Sequence, residues 1–201
     1  MKVTKIVITG GPCAGKSEAK NWIRETFTKK GYTVLFIPET ATELISGGVA
    51  PWTCGTNLDY QLCQCQLQMF KEEIFNQAIR TMKDAHYLVV CDRAMFDNKA
   101  YMTDDEFDFV LKSLHQTEDA LYKRYDAIFH LVSAAKGLEE MYSFDNNSAR
   151  YETVEEAQAL DDRLLACWSK HPYLKVIENH EDFDMKMKNL MNEISKVLEN
   201  E

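Results

Sequence analysis

The sequence predicts an α/β protein built on a parallel five-stranded sheet with helices on both faces. Three observations carry that reading. Five short apolar, β-type runs alternate with stretches of helical periodicity, the pattern of right-handed βαβ crossovers. The run Tyr87 to Cys91 is apolar throughout, as a strand buried on both faces must be. The first run leads directly into Gly10-Gly11-Pro12-Cys13-Ala14-Gly15-Lys16-Ser17, which fits G-x-x-x-x-G-K-[ST] between a strand and a helix, the frame of a P-loop NTPase.

Val3 to Thr9 forms the first strand, and Lys16 to Lys30 a helix with Ala19, Trp22, Ile23 and Phe27 on one face and Gly31 as its stop. Tyr32 to Ile37 is the second strand, closed by Pro38, with a short helix at Ala41 to Ile45. Asn57 to Asp84 reads as one long helix with Leu62, Met69, Phe70, Ile74, Ala78 and Met82 roughly on its inward stripe. After the Tyr87–Cys91 strand, Glu106 to Tyr122 is helical, with Phe107, Val110, Leu111 and Leu114 inward. Ala127 to Val132 is the fourth strand. Ser133 to Tyr151 lacks periodicity and reads as a loop or lid. Thr153 with Glu156 makes a capping box for a helix that buries Leu160, Leu164 and Trp168. Leu174 to Ile177 is the fifth strand, and Glu181 to Leu198 the last helix, with Phe183, Met187, Leu190, Ile194 and Leu198 inward. No repeat or long linker divides the chain. One domain over 1–201 is expected, with a lid or small helical insertion at about 133–170.

Composition excludes more than it selects. The 201 residues carry 23 Lys+Arg against 32 Asp+Glu, a net charge of −9, which argues against a general nucleic-acid partner but leaves room for one local phosphate pocket. No run approaches the roughly 20 apolar residues of a membrane span, and the N-terminal residues do not read as a signal peptide, so a reducing, cytoplasmic setting is expected. The six cysteines, Cys13, Cys54, Cys63, Cys65, Cys91 and Cys167, then read as small buried or half-buried thiols. The histidines show no metal spacing.

Each part of the glycine-rich segment has a task. Gly10, Gly11 and Gly15 let the backbone wrap around Pro12-Cys13-Ala14 so that successive N–H groups, from Cys13 onward, meet phosphate oxygens at a helix start. Lys16 is placed to bridge β- and γ-phosphates, and the Ser17 hydroxyl to ligate Mg²⁺. Asp92, at the end of the third strand, is the expected second support for Mg²⁺, and Arg93 beside it a clamp for an anionic or hydroxylated substrate. Asp97 either joins them or caps a helix beginning near Asn98. Pro38-Glu39-Thr40 ends the second strand, where ligands of open α/β sheets gather, so Glu39 either accepts the proton of an attacking hydroxyl or serves a helix start. In the lid, Lys136 and Arg150 are the cations that could close over a transferring phosphoryl group. Arg150 is the stronger candidate, with Arg163 able to assist from the next helix. Asn179 to Lys186 follows the fifth strand, a position suited to holding a base.

These residues, with the run Arg150-Tyr151-Glu152, Glu156-Ala157, Leu160-Asp161, Trp168, His171-Pro172, Ile177, Asn179, Phe183 and Lys186, resemble the NadR-like P-loop NTPases. That family is named for a bacterial ribosylnicotinamide kinase domain and includes the nucleotide-binding domain of a fly rhodopsin-trafficking protein. The resemblance covers nearly the whole chain. It implies a nucleotide-kinase-like three-layer sandwich with strand order 2-3-1-4-5, ATP or GTP, and Mg²⁺. The more distantly similar deoxynucleoside kinases place a base and an acidic-Arg pair where Glu39 and Asp92-Arg93 stand.

The expected function is therefore transfer of the ATP γ-phosphoryl group to a hydroxyl of a nucleoside-like small molecule. The rival expectation is a nucleotide-dependent switch or binding module with slow hydrolysis and a protein or lipid partner. The guanine-reading pattern N-K-x-D is missing: Asn98-Lys99-Ala100-Tyr101 lacks its Asp and is misplaced, which favours ATP.

Overall fold

The structure, a computed structural model, describes residues 1–138 and 153–199. In chain order the elements are β1 (Lys2–Thr9), α1 (Lys16–Lys29), β2 (Thr33–Ile37), α2 (Thr40–Ser46), α3 (Asn57–Thr81), β3 (His86–Asp92), α4 (Met95–Lys99), α5 (Asp104–Ser113), α6 (Glu118–Tyr122), β4 (Ala127–Leu131), α7 (Val154–Cys167), β5 (Leu174–Ile177) and α8 (Phe183–Glu199). The five strands are all parallel, in the order β2-β3-β1-β4-β5, as the resemblance implied.

Strand alternation divides the interior into two cores. Ile6, Ile8, Leu88, Val90 and Phe129 face one way and pack with Ile23 and Phe27 of α1 and Met187, Leu190 and Ile194 of α8. Val7, Val89, Cys91 and Ile128 face the other way and pack with Cys65 of α3, Phe96, Phe107, Val110 and Trp168. Ile8 pairs with Asp92 and Thr9 with His130, so the carboxyl ends of β3, β1 and β4 finish level beside the loop that follows β1.

Several sequence expectations are corrected here. The stretch Glu106 to Tyr122 is not one helix. Leu114 caps α5, His115 takes a left-handed backbone (φ 53), and Thr117 caps α6 by accepting from the Ala120 N–H at 3.2 Å. The short helix near Asn98 begins earlier, at Met95. Cys63 is exposed, and all six thiols are free.

The largest correction concerns α3. Leu62 and Met69 pack against the core as expected, but Phe70 is 62% exposed and Ile74 44%. The buried face is instead Tyr60, Gln61, Gln64, Cys65, Gln68, Glu72 and Ile79. The Tyr60 hydroxyl and Gln61 Oε1 are buried with no hydrogen-bond partner among the described residues, but the other polar members are paired inside the protein. Gln64 donates to Asn98 Oδ1 at 2.6 Å, and Gln68 donates to Glu72 at 3.0 Å while accepting from Thr40 at 2.6 Å. Glu72 itself also accepts from Arg124 (3.1 and 2.9 Å) and from the Tyr125 hydroxyl (2.7 Å). Gln64, Gln68 and Glu72 are tolerable inside because they find partners.

Of the stretch at about 133–170 read as a lid or insertion, residues 139–152 lie outside the described residues. The helix that follows, α7, buries Ala157, Leu160, Asp161 and Leu164, and its cap residue Trp168 sits in the core.

Candidate active site

The loop of residues 10–15 leaves β1 and enters α1 through three left-handed residues: Gly10 (φ 137), Cys13 (φ 54) and Gly15 (φ 86). A side chain at Gly10 would meet the Leu131 carbonyl at 2.1 Å, and one at Gly15 would meet the Phe183 ring at 2.8 Å. Only glycine fits either position. The loop's carbonyls are held from behind. Pro12 O accepts from the Ser133 hydroxyl, Cys13 O from the Ala134 N–H at 3.2 Å, and Ala14 O from Lys186 Nζ at 3.0 Å. The first N–H groups of α1 have no acceptor within their own helix, which leaves them to anionic oxygens at its positive end.

Lys16 curls over this loop and donates to Gly10 O and Gly11 O, both at 3.3 Å. Burial pulls its pKa down to about 8, and the Arg93 charge adds to the effect; Glu39, Asp92 and Asp97 pull the other way. The ammonium is thus present below about pH 8 and is lost as pH rises through it. Polyphosphate binding needs the charge, so nucleotide affinity should fall by up to about tenfold per pH unit above 8. Burial also lowers Lys186 to about 8, and its loss would loosen the loop in the same direction. Titration with a fluorescent ATP analogue between pH 6.5 and 9.5 checks this, and a flat affinity across that range would contradict it.

Asp92 ends β3 beside Ile8. Its Oδ2 meets Lys20 Nζ at 2.6 Å, and its Oδ1 is buried with no hydrogen-bond partner among the described residues. Arg93 turns out of the strand with a left-handed backbone (φ 63), anchored by its N–H to Ile8 O at 3.0 Å. That conformation is disfavoured for a side chain of this size and aims the guanidinium across to β2. Asp97 does not join Asp92. It is buried in α4, accepting from Thr9 Oγ1 and from the Ala94 N–H (2.7 Å), with Arg93 Nη1 at 3.8 Å behind the site. Its capping alternative is therefore the one the geometry favours.

Glu39 follows β2 and faces the loop across the cleft. Its Oε1 accepts from Arg93 Nε at 2.7 Å and its Oε2 from the Thr42 hydroxyl at 2.6 Å. Burial opposes its ionisation, but the Arg93 and Lys16 charges and these two hydrogen bonds outweigh it and hold the carboxyl at about 2. The Pro38-Glu39-Thr40 turn is itself secured from α3. Lys71 donates to Pro38 O (2.6 Å), Thr40 Oγ1 (3.2 Å) and Glu43 (2.7 Å), and Thr40 donates to Gln68.

On the opposite wall stand residues that follow β4 and β5. Asn179 lies there as expected, but its amide is fully used: it donates to Ser133 O and Lys136 O, both at 2.8 Å, and accepts from Lys186 at 2.8 Å. Lys186 also donates to Val132 O at 2.7 Å. These two residues brace the loop and are not free to read a base. Phe183, expected inward, is 37% exposed and lies against Gly15. Asp161, buried on α7, accepts from the Gly11 N–H at 2.7 Å and lies 3.1 Å from His130 Nε2 and 2.9 Å from Lys136 Nζ. Burial opposes its charge, yet these partners hold its pKa below the carboxylate range.

Of the cations expected to close over a phosphoryl group, Lys136 is tied to Asp161 and Asp162 (2.6 Å). Arg163 is exposed and lines a different hollow with Tyr122 and Lys99. Arg150 lies outside the described residues. The structure thus brings Lys16, Ser17, Glu39, Asp92, Arg93 and the loop Gly10-Gly11-Pro12-Cys13-Ala14-Gly15 to one place. A cleft of about 710 Å³ is lined there by Cys13 to Lys16, Ser17, Lys20, Glu39, Asp92, Phe183 and Lys186, among others.

Sequence reasoning missed Lys20. Its signal was its place one turn after Ser17, on the same side of α1. The linking role of Lys186 and the contact of Asp161 with Gly11 were also not legible, since they join segments 172 and 150 residues apart.

A family model described as an AAA domain matches residues 5–186. No curated protein matches the chain in sequence. Among solved structures the chain is similar to a deoxyadenosine kinase from M. mycoides determined with the product dCMP and a flexible dCDP bound. The two share 14% identity over 96% of this chain and 100% of that one, with a TM-score of 0.62. At that identity the likeness is one of fold.

Proposed function

The chain belongs to the AAA-domain family, and from that premise we propose that it is a kinase moving the γ-phosphoryl group of ATP to a hydroxyl of a nucleoside-like small molecule. One observation carries this reading: Glu39, held by Arg93, lines the same cleft as the phosphate-binding loop, at the end of the edge strand β2. A switch needs no carboxylate there, whereas an acceptor hydroxyl does.

The loop and Lys16 would hold the phosphates, and Arg150 would close over them. Mg²⁺ would neutralise charge on the β- and γ-phosphate oxygens when bound, held by the Ser17 hydroxyl and Asp92. The residues fit a hard cation: both supply oxygen, and Asp92 Oδ1 is buried and unpartnered. Among the described residues no group of three or more His, Cys, Asp or Glu side chains could hold a metal, so the remaining ligands would be nucleotide oxygens and water. Arg93, whose Nε holds Glu39 Oε1, would help hold the acceptor from beside that carboxylate. Glu39 would accept the acceptor's hydroxyl proton. A carboxylate held near 2 is a weak base, but in a loose phosphoryl-transfer transition state the proton leaves late and orientation matters most. Nicotinamide riboside, from the NadR-like resemblance, and deoxyadenosine, from the structural neighbour, are the first acceptors to test.

The experiment is ADP release from ATP and Mg²⁺ against a nucleoside panel including these two. An acceptor that raises turnover well above the acceptor-free rate supports the reading. Turnover that no acceptor raises overturns it.

A further inference from the structure

Ser17 and Lys20 stand one turn apart on α1 and line the same cleft as Asp92 at the end of β3. Lys20 Nζ lies 2.6 Å from Asp92 Oδ2, with the Asp92 side chain 8% exposed and that of Lys20 32% exposed. The carboxylate is therefore inside the protein while the lysine keeps a path to solvent. A buried carboxylate without a counter-charge is strongly disfavoured, so Asp92 needs a cation whether or not a metal is bound. The other basic groups of the cleft are engaged elsewhere. Lys16 is on the loop carbonyls, Arg93 on Glu39, and Lys186 on Ala14, Val132 and Asn179.

We propose that Lys20 is the resident cation of the divalent-metal site: it holds Asp92 while no metal is present and releases it when a metal arrives with the nucleotide. This rests on the assignment of Ser17 and Asp92 as metal ligands in the proposed kinase. An ammonium 2.6 Å from the carboxylate and a dication on the same carboxylate repel each other strongly at this burial, so the two exclude one another. Free metal must displace the lysine with only Asp92 and Ser17 to gain. Metal already carried by a polyphosphate brings its own oxygens, and the displaced ammonium, on a flexible four-carbon stem, stays near the added negative charge. The site would thereby refuse free divalent cations and accept the metal–nucleotide complex.

The test is Mn²⁺ binding to the nucleotide-free protein, followed by loss of the free-ion signal in electron paramagnetic resonance. Lys20→Met should bind Mn²⁺ at least about tenfold more tightly than the wild type. Lys20→Arg should behave like the wild type, and Lys20→Met/Asp92→Asn should lose the gain. Lys20→Gln gives the same comparison should Lys20→Met fold poorly. Unchanged Mn²⁺ affinity in the neutral variants, or a gain that survives Asp92→Asn, overturns the proposal. The titration involves no acceptor and no turnover, so it stands apart from the ADP-release panel, whose failure would overturn the kinase reading instead.

Discussion

Glu39→Gln should lower kcat by about 10²–10⁴-fold with every acceptor that supports turnover, while nucleotide affinity at neutral pH stays close to that of the wild type. The amide keeps the shape of the side chain and can still accept from Arg93, but it cannot take a proton. One secondary effect follows from the charges in the cleft. Glu39 raises the Lys16 pKa, so its neutralisation should move the alkaline loss of nucleotide affinity to lower pH. The pH profile has a definite sign too. The folded pKa of Glu39 is about 2 against an ordinary 4.5, so its pairing contributes fully above the ordinary value and is lost only as pH falls towards 2. No acidic limb between pH 5 and 7 should belong to the free enzyme's Glu39. Steady-state kinetics of the variant, with binding of a fluorescent nucleotide measured alongside, decide the matter. A variant with wild-type kcat would remove Glu39 from the reaction.

The second large effect is expected in the buried network around Glu72. Glu72→Ala should cost about 3–5 kcal/mol, which for a chain of this size is a fall in melting temperature of roughly 6–20 °C. Glu72 is fully buried and gathers Arg124, the Tyr125 hydroxyl and Gln68, with Lys5 Nζ at 3.5 Å. Truncation leaves these groups facing a cavity without their common acceptor. It also frees Gln68, which holds Thr40 in the turn carrying Glu39. Variants that remain folded should therefore lose acceptor turnover more than nucleotide affinity. Thermal melting tests the first part, and a shift below 2 °C would show that the network carries little of the stability.

That network also shows where the sequence was legible and where it was not. The parallel sheet and the phosphate loop could be read because each rests on local information: a strand-length apolar run, a glycine spacing, a strand end that places Asp92, Arg93 and Glu39. The strand order came from the family resemblance, because pairing across crossovers leaves no local mark. The face of α3 could not. Hydrophobic periodicity assigns inward positions to apolar residues, and here Gln61, Gln64, Gln68 and Glu72 are inside while Phe70 and Ile74 are out. Only partners distant in sequence, such as Arg124 and Thr40, make that arrangement tolerable. Lys20 was hidden for the same reason. On its own helix it is one more charged residue, and its meaning comes from Asp92, 72 residues away. The break between α5 and α6 had a local signal in Thr117, an N-cap residue that a continuous stripe from Phe107 to Leu114 conceals.

The strand order divides the cleft into halves of unequal freedom. The phosphate loop grows from β1, the middle strand, and is braced by residues after β4 and by α8. The Glu39 turn grows from β2, an edge strand, and is secured by Lys71 and Gln68 of α3 and by Arg93 after β3. Changes in α2 and α3 can therefore reshape one half while the other keeps its form. The space opposite the phosphate loop can therefore change shape while the loop, held from the other side, keeps its own.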